Sequence, residues 1–472
     1  MNYLEVDVGT TSMKCTAVND NGILFTKSIS YPVKYGNFGM AEQNPWDWYY
    51  SFKKIFQEIE FPIDGIGITG QMHSLLVANG RHPLMDSMLW SDTQSAGLAD
   101  YLVKKFGISE LVRETGNYPL SNFTLLRLLW IRKYLPEIYR KIDMAFVAKD
   151  WLKYMLTGFH GTDVSDASGT YLFNVRERKW SSMMFKYLKI GENLFGHSNE
   201  SMEIQDEYKG IPVIAGAEDQ EAAAFVAGIG SNECAMSLGI SGVVFSIIPE
   251  YRLPKNRSIH LFCHAEANKW HWMGVTQSAT SSLDWFMRTF HIDYGRLRNI
   301  SGDTNIIFMP YLNGERAPIM KPDSRSMFYG ISSNTSRDEI ILSIMEGVAF
   351  SLKHVYDSMG LKKNRIILTG GGTKIKIWNQ IIADVFNMEI DIPEDSGSSL
   401  GAAMLASSGK LRVYSEPEKY FPVNHSSYIE KYEKYKKIAK SYGNCSNLPP
   451  PPVLAGQSHL LFRLLCIQVI YH

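Results

Sequence analysis

The chain has few cysteines and no excess charge of either sign. The five cysteines among its 472 residues are Cys15, Cys234, Cys263, Cys445 and Cys466. They show no paired metal-ligand spacing, and so small a number suits a reducing compartment. Basic and acidic residues balance at 48 each, which argues against a nucleic-acid or membrane-surface partner because such partners require a basic face. The composition therefore points to small-molecule partners and leaves a homodimer open.

The sequence also lacks a recognisable secretory signal and a long apolar run. The first strand is predicted from Tyr3, which leaves no room for a charged segment followed by an apolar one. The apolar run His459–Tyr471 follows four prolines and is shorter than the roughly 20 residues that cross a bilayer. We therefore expect a cytoplasmic protein. We interpret residues 444–472 as an atypical, poorly ordered tail, with an interaction helix as the alternative.

A chain of this length is expected to form at least two domains. Short apolar runs alternate with stretches of helical apolar periodicity, which is typical of an α/β fold. The predicted buried strands are Ile63–Thr69, Ile211–Ala215 and Arg365–Thr369, and the predicted helices include Pro45–Ile59, 94–107, 123–134, 149–157 and Ile375–Phe386. Gly and Ser interrupt the pattern near Gly228–Asn232. We place the boundary there, between domains 1–229 and 230–443.

The most informative motif joins the first two predicted strands. Its residues are Asp7, Gly9, Thr10, Thr11, Ser12 and, on the second strand, Lys14. Glycine allows close approach to a phosphate, and inward-turned amides and hydroxyls form an anion-binding concavity. Asp7 can hold a hydrated magnesium ion, which prefers one or two carboxylates and keeps its waters. The alternative is a plain β-hairpin with a polar turn.

A second strand–Gly–hydroxyl–strand unit occurs half a chain later. Aligning Val6–Lys14 with Met236–Val244 places Gly239, Ile240 and Ser241 in a second phosphate loop, and Ser237 opposite Asp7. Two such units indicate two similar domains that clamp a nucleotide with a single metal carboxylate. Chance recurrence of Gly/Ser turns is the alternative.

Further candidate ligand-binding residues lie in four segments, three of which follow predicted strands, where open α/β sheets bind ligands. They are Met72 and His73 after the strand that ends at Gly70, Trp90 and Asp92, the pair Asp219 and Gln220, and Gly370, Gly371 and Gly372. An aromatic face beside a carboxylate suits a sugar, and bare glycine backbone suits adenine or ribose. Asp219 is placed to accept a hydroxyl proton. The alternatives are a structural histidine, a core tryptophan and a Glu218 or Asp219 that merely caps the helix.

Taken in order, these stretches resemble the FGGY carbohydrate kinases over roughly residues 1–440. The matching segments are Asp7–Lys14, Gly70–His73, Trp90–Asp92, Ala148–Leu152, Asp163–Thr170, Ala215–Gln220, Ser237–Gly242, Phe262–Ala265, Tyr311–Pro318 and Gly370–Gly372. The resemblance implies two duplicated actin-like, ribonuclease-H-type α/β domains with a cleft between them. It implies ATP on the C-terminal domain and a ketose on the N-terminal one.

The resemblance also implies the activity and the roles of residues. We expect ATP- and Mg²⁺-dependent phosphorylation of the terminal hydroxyl of a ketose, with D-xylulose as the first candidate. Asp219 corresponds to the catalytic base, Asp7 to the metal-side carboxylate acting through water, and Met72, His73 and Gln220 to sugar contacts. Kinases of sedoheptulose, ribulose or polyols share the scaffold. An actin-like nucleotide-binding module without sugar chemistry is the alternative from another class.

Three positions depart from the family pattern. Ile240 stands where a threonine is usual, which removes a hydroxyl beside ATP. Glu218 replaces the glycine that commonly precedes the base, so we expect it to crowd the ketose or raise the pKa of Asp219. Gln94 occupies the place of a frequent arginine.

Overall fold

The structure is a computed structural model that describes residues 1–226, 228–230, 232–393, 400–411 and 416–441. The predicted tail, residues 444–472, lies outside the described residues. Each half of the chain contains one seven-stranded sheet with helices packed on it. Among the described residues, no helix combines the length and the apolar character that crossing a membrane requires.

The first half begins with a hairpin and continues as alternating strands and helices. Its strands are β1 (Tyr3–Val8), β2 (Ser12–Asn19), β3 (Gly22–Ser30), β4 (Lys34–Tyr35), β5 (Ala41–Gln43), β6 (Gly65–Gly70), β7 (Leu76–Asn79), β8 (His82–Pro83), β9 (Ser87–Met88), β10 (Met144–Phe146), β11 (Gly161–Asp163), β12 (Phe173–Asn174), β13 (Lys179–Trp180), β14 (His197–Asn199), β15 (Ile204–Tyr208), β16 (Ile211–Ile214) and β17 (Ala217–Glu218). Its helices are α1 (Pro45–Phe56), α2 (Ala99–Phe106), α3 (Ile108–Thr115), α4 (Thr124–Tyr134), α5 (Pro136–Tyr139), α6 (Ala148–Thr157), α7 (Val164–Ser168), α8 (Ser182–Leu188) and α9 (Asp219–Val226).

The second half repeats this plan with fewer strands. They are β18 (Glu233–Leu238), β19 (Gly242–Ile248), β20 (His260–Cys263), β21 (Trp270–Thr276), β22 (Ile307–Met309), β23 (Met327–Tyr329), β24 (Arg365–Thr369), β25 (Glu389–Ile392) and β26 (Glu418–Tyr420). The helices are α10 (Thr280–Thr289), α11 (Arg337–Met359), α12 (Lys376–Phe386), α13 (Gly401–Ala406) and α14 (His425–Ser441). A 3₁₀ turn at Gly371–Lys374 precedes α12.

The two sheets share one topology, which confirms the predicted duplication. Their central orders are β3-β2-β1-β6-β16 and β21-β19-β18-β24-β25. Asp7 lies opposite Thr69 in the parallel β1–β6 pair, and Ser237 lies opposite Thr369 in the parallel β18–β24 pair. The predicted equivalence of Asp7 and Ser237 therefore agrees with the strand register.

The predicted internal alignment is one residue out in the second strand of the hairpin. Asp7 pairs with Lys14 across the first hairpin, whereas Ser237 pairs with Val243 across the second. The second turn is one residue shorter, because Gly242 already pairs with Leu238 and donates its N–H to the Thr276 hydroxyl at 3.2 Å. Lys14 therefore corresponds to Val243 and not to Val244.

Most predicted elements form close to their expected limits, because their boundary residues carry strong local signals. Proline opens α1 and the Asn44 side chain caps it through the N–H of Trp46. The predicted strand Arg365–Thr369 is β24 exactly as bounded. The predicted helix 94–107 is shortened to α2, since the residues before it form turns and a 3₁₀ segment at Ala96–Leu98.

The small-residue helix α13 lies on the first half, although it follows the second sheet along the chain. An added Cβ on Gly67 of β6 would meet the Ala402 carbonyl oxygen at 2.0 Å, and one on Gly401 would meet the Ala222 carbonyl oxygen at 2.2 Å. The small residues of this segment predict a helix packed closely beside Gly370–Gly372. The close packing is present but the location is wrong, because glycine and alanine bring the helix against β6 and α9 instead.

Candidate active site

Three strand ends of the first half meet at one edge of its sheet. Gly70 on β6 lies opposite Val8 of β1 on one side and opposite Glu218 of β17 on the other. Because all three strands run parallel, the residues that follow them emerge together. The register therefore brings the first phosphate loop, the Gln71–His73 segment and Asp219 to the same edge.

The first loop is held in shape by hydrogen bonds to its backbone. The N–H of Gly9 donates to the Ser12 carbonyl at 3.1 Å, and the Tyr31 hydroxyl donates to the Gly9 carbonyl at 2.7 Å. The Gln43 amide donates to the Thr10 carbonyl at 2.5 Å. Since the carbonyls are bound from outside, the loop keeps a fixed form. The half-buried Asp7 lies at its base, opposite Lys14 in the hairpin register.

Thr10 joins this loop to two further predicted site segments. Its hydroxyl accepts a hydrogen bond from the Trp90 indole N–H at 3.1 Å and lies 3.4 Å from the Gln71 amide oxygen. Trp90 is 42% exposed, so one ring face remains accessible beside the loop. The predicted stacking surface and the predicted phosphate loop are thus neighbours.

His73 is buried in a left-handed backbone conformation, with φ of 63°. Its Nδ1 lies 2.8 Å from the Gly169 carbonyl oxygen, which can only accept, so the neutral ring carries its proton there and leaves Nε2 as an acceptor. Burial lowers the pKa of His73 to about 3. The ring contacts Phe123 and, from the second half, Phe262. His73 is therefore a neutral acceptor close to where the halves meet.

Arg127 of α4 is fully buried, and the sequence reasoning missed it. Its guanidinium donates to the carbonyls of His73, Trp90 and Asp92 at 3.0, 2.8 and 3.2 Å. Burial lowers the pKa of Arg127 to about 10. One side chain thereby holds both predicted sugar-contact segments. Its position inside an otherwise apolar helical run is the signal that would have revealed it.

Asp92 faces into the protein. Its Oδ2 accepts the Ala41 N–H at 2.9 Å and the Gln94 side-chain amide at 3.0 Å. Its Oδ1 accepts the Gln94 backbone N–H at 3.0 Å. Gln94, the predicted departure from the pattern, therefore binds Asp92 and fixes the turn that presents Trp90.

Asp219 and Glu218 divide two roles at the start of α9. Glu218 is fully buried, and its carboxylate accepts the N–H groups of Gln220 at 2.7 Å and Glu221 at 2.9 Å. The helix is therefore capped chiefly by Glu218, while Asp219 remains half-buried at the sheet edge. Asp219 Oδ1 also accepts the Gln220 N–H at 2.9 Å.

The two carboxyls are linked electrostatically. Burial raises the pKa of Glu218 well above its usual range, and the negative charges of Asp219 and Glu221 raise it further. Burial also raises the pKa of Asp219, but a hydrogen bond from Glu218 opposes this rise. The expected rise in the pKa of Asp219 is therefore present, but burial causes it and the contact with Glu218 opposes it. Nor does Glu218 crowd the site edge, since its side chain turns back into the helix start.

A buried ion cluster supports the strand that leads to Asp219. Lys149 Nζ lies 2.7, 3.0 and 3.3 Å from carboxylate oxygens of Asp150, Asp163 and Asp166. Burial opposes the charge of Lys149, but the three carboxylates raise its pKa. Lys153 donates to the Ala215 carbonyl at 3.0 Å, just before β17. The matching segments Ala148–Leu152 and Asp163–Thr170 therefore have a structural role behind the site.

The second loop and the glycine run line a common cavity of about 340 Å³. Its walls are Ile240, Thr280, Ser281, Leu283, Asp284, Tyr294, Gly371, Gly372, Ile375 and Trp378. The Thr280 hydroxyl donates to the Gly239 carbonyl at 2.8 Å, and the Ser281 hydroxyl donates to the Ile240 carbonyl at 2.9 Å. Sequence reasoning missed both hydroxyls, although the small-residue run after β21 signals a tight helix start.

Ile240 projects from this loop and is 79% exposed. A Cβ on Gly370 would meet the Leu238 backbone at 2.7 Å, so a glycine is required where the two loops approach. Gln220 of α9 borders a small cleft together with Ser237 and Thr369 of the second half. The second loop and the glycine run therefore line one cavity of the second half, whereas the first phosphate loop lies with His73 and Asp219 at the sheet edge of the first half.

Comparisons with known proteins match both halves of the chain. The model of the FGGY family of carbohydrate kinases, N-terminal domain, matches residues 2–226, and that of the C-terminal domain matches residues 234–409. The chain is 31% identical to the xylulose kinase of Bacillus subtilis, over 93% of this chain and 95% of that protein.

Solved structures share the fold. A protein from Brucella ovis described as a xyloylose kinase has a TM-score of 0.88 and 26% identity, covering 94% of this chain and 100% of that one. Plasmodium falciparum glycerol kinase with ADP has a TM-score of 0.84 and 22% identity, covering 95% and 98%. The predicted α/β fold of two actin-like domains is confirmed, as is the predicted enzyme class. The chain belongs to the FGGY family of carbohydrate kinases.

Proposed function

We propose that the protein transfers the γ-phosphoryl group of ATP to the terminal hydroxyl of a ketose, with D-xylulose as its substrate and Asp219 as the general base. The observation that carries the proposal is the strand register, which places Asp219 at the same sheet edge as His73 and the first phosphate loop. The likeness to the Bacillus subtilis xylulose kinase supports the choice of sugar.

The residues present fit the nucleotide and a magnesium ion. Asp7 and Asp219 offer hard carboxylate oxygens at one sheet edge, which is the donor type that Mg²⁺ prefers. Gly9–Ser12 and Gly239–Ser241 each form a tight turn suited to phosphate. When bound at Asp7, the ion would neutralise phosphate charge. The cavity beside Gly371 and Gly372 would hold the base and ribose.

The chain's own groups supply positioning and proton transfer. His73 Nε2 accepts a hydrogen bond from a sugar hydroxyl, Met72 and Trp90 cover the apolar faces of the sugar, and Gln220 contacts it from α9. Asp219 accepts the proton of the terminal sugar hydroxyl while the oxygen of that hydroxyl bonds to the γ-phosphorus. The bond between that phosphorus and the ADP oxygen breaks, and ADP leaves.

An assay of ADP release over a panel of ketoses, aldoses and polyols tests this proposal. We expect the highest kcat/KM with D-xylulose. Asp219→Asn keeps the shape of the side chain but removes the base, so kcat is expected to fall by about 10²–10⁴-fold while ATP still binds. Asp7→Asn is expected to weaken turnover in a way that added Mg²⁺ partly restores.

Asp20→Asn, in the exposed turn between β2 and β3, is the matched control and is expected to leave kcat unchanged. Near wild-type turnover by Asp219→Asn would refute the proposed base and make Glu218 the next candidate. A clear preference for a polyol or an aldose would refute the proposed substrate.

A further inference from the structure

Glu221 lies one residue beyond the Asp219–Gln220 pair and faces two histidines of the second half. Its Oε1 accepts the Ala265 N–H at 2.7 Å and lies 3.1 Å from His264 Nε2. Its Oε2 lies 2.9 Å from His271 Nδ1. All three side chains are at most 1% exposed. A buried carboxylate–histidine cluster therefore connects α9 with the β20–β21 hairpin.

The hydrogen bonding of His264 defines its role. The Glu266 N–H donates to His264 Nδ1 at 2.9 Å, so the neutral ring carries its proton on Nε2, which faces Glu221 Oε1. Ala265 thus donates to Oε1, and His264 Nε2 lies against the same oxygen, although that contact lacks the alignment of a hydrogen bond. His264 therefore flanks Glu221, with its own Nδ1 already accepting the Glu266 N–H.

His271 is different, because neither of its ring nitrogens has a hydrogen-bond partner among the described residues. Glu221 Oε2 is also without one. Although Nδ1 and Oε2 are only 2.9 Å apart, the contact lacks the alignment of a hydrogen bond. Two buried polar atoms that lie this close without a hydrogen bond between them can both bind a third atom, such as a metal ion. The ring is held by stacking on Phe245, with centroids 4.3 Å apart.

Glu218 supplies the remaining donor. Ligand atoms of Glu218, Glu221 and His271 all lie within 4.8 Å of one another, and all three residues are buried. Each Glu218 oxygen accepts one backbone N–H, which leaves lone pairs for a cation. Among the described residues, the ion pairs of Glu221 are with histidines and not with lysine or arginine. A divalent cation would neutralise the two buried carboxylates, which are otherwise costly.

We propose that Glu218, Glu221 and His271 bind one divalent transition-metal ion, for which zinc is the test ion. Imidazole nitrogen and carboxylate oxygen are established zinc ligands, and the hydrogen bond from the Ala265 N–H gives Glu221 the outer support that a ligating carboxylate usually has. The site is distinct from the magnesium position at Asp7. An ion bound there would link the start of α9, and with it Asp219, to β21 of the second half.

The test is a zinc titration of the whole wild-type enzyme after treatment with a chelator. Zn²⁺ is titrated in competition with a chromophoric chelator and in saturating Mg²⁺, which occupies the Asp7 position. We expect one tightly bound equivalent and a higher melting temperature with zinc. Absence of a tight equivalent in the wild type, or zinc binding that Mg²⁺ displaces fully, would overturn the proposal without any variant.

Variants separate ligands from supporting residues. His271→Gln and Glu221→Gln are expected to abolish tight binding, whereas His264→Gln is expected to weaken it by about 10- to 100-fold. His260→Gln removes a buried histidine of β20 that bonds Asn117 instead, and it should retain the full equivalent. Both variants are shown to be folded by circular dichroism. If His271→Gln then binds zinc as tightly as His260→Gln, His271 is not a ligand and the proposal is overturned, because the cluster is a buried Glu–His pair only.

Discussion

The guanidinium of Arg127 donates a hydrogen bond of 3.0 Å to the backbone carbonyl of His73, 54 residues earlier in the chain. The same side chain also binds the carbonyls of Trp90 and Asp92. A buried cation on α4 thus sets the distance between the segment that presents His73 and the segment that presents Trp90.

Arg127→Lys is expected to weaken sugar binding more than ATP binding. A lysine is a single point charge and cannot span several carbonyls, and each carbonyl left without a donor costs about 1–3 kcal/mol. The KM for the sugar should rise about tenfold or more, with a smaller change in the KM for ATP. Arg140→Lys, on the exposed end of α5, is the control. Equal rises in both KM values would indicate general destabilisation.

Ile240→Thr is expected to improve the use of ATP. A hydroxyl beside a phosphate oxygen can add a charge-assisted hydrogen bond of about 1.5–3 kcal/mol, which corresponds to about tenfold or more in apparent affinity. Ile240→Val has the branched shape of threonine without the hydroxyl and should leave the KM for ATP unchanged. If the two variants behave alike, the backbone amides already satisfy the phosphate.

His73→Asn is expected to flatten the acid limb of the stability curve. Burial lowers the pKa of His73 from 6.5 to about 3, so between these values the unfolded chain binds a proton that the native ring does not. This contribution to stability is therefore present above pH 6.5 and lost as the pH falls toward 3, by about 1.4 kcal/mol per pH unit. Denaturant unfolding at several pH values measures the slope. His82→Asn, on the surface, should keep the wild-type slope.

Gly67→Ala is expected to lower the free energy of unfolding. The added Cβ would meet the Ala402 carbonyl at 2.0 Å, and overpacking of this kind costs about 1–3 kcal/mol. Gly97→Ala is the matched control, because a Cβ there meets no atom within 4 Å. Equal stability of the two variants would show that α13 moves aside without cost.

Local signals account for what the sequence predicted well. The run Arg365–Thr369 forms β24 because its three central residues are apolar and it is followed by Gly370, a glycine that the neighbouring Leu238 backbone requires. The hairpin at Asp7 and the helix start at Asp219 follow from glycine and carboxylate placement within a few residues. Their meeting at one sheet edge depends on parallel register, which the βα pattern also predicts.

Features that depend on distant residues were missed or misplaced. Arg127 binds carbonyls that lie 35 to 54 residues away, so the apolar run of α4 signals that it is buried but does not reveal what it binds. The shorter second turn depends on Thr276 of another strand. The sequence left open whether Glu218 or Asp219 caps α9, and only the folded helix assigns the capping chiefly to Glu218.

The position of α13 also bears on how the protein is made. Leu400, Ala403 and Leu411 pack with Tyr3 and Val18 at the very start of the chain. During synthesis, the first sheet therefore leaves the ribosome long before the segment that covers this face. After its own last residue near 226, the N-terminal half must wait for about 170 further residues with apolar surface uncovered, a state that invites chaperone binding or association. The first half can therefore complete its packing only after this late segment of the second half has been synthesised.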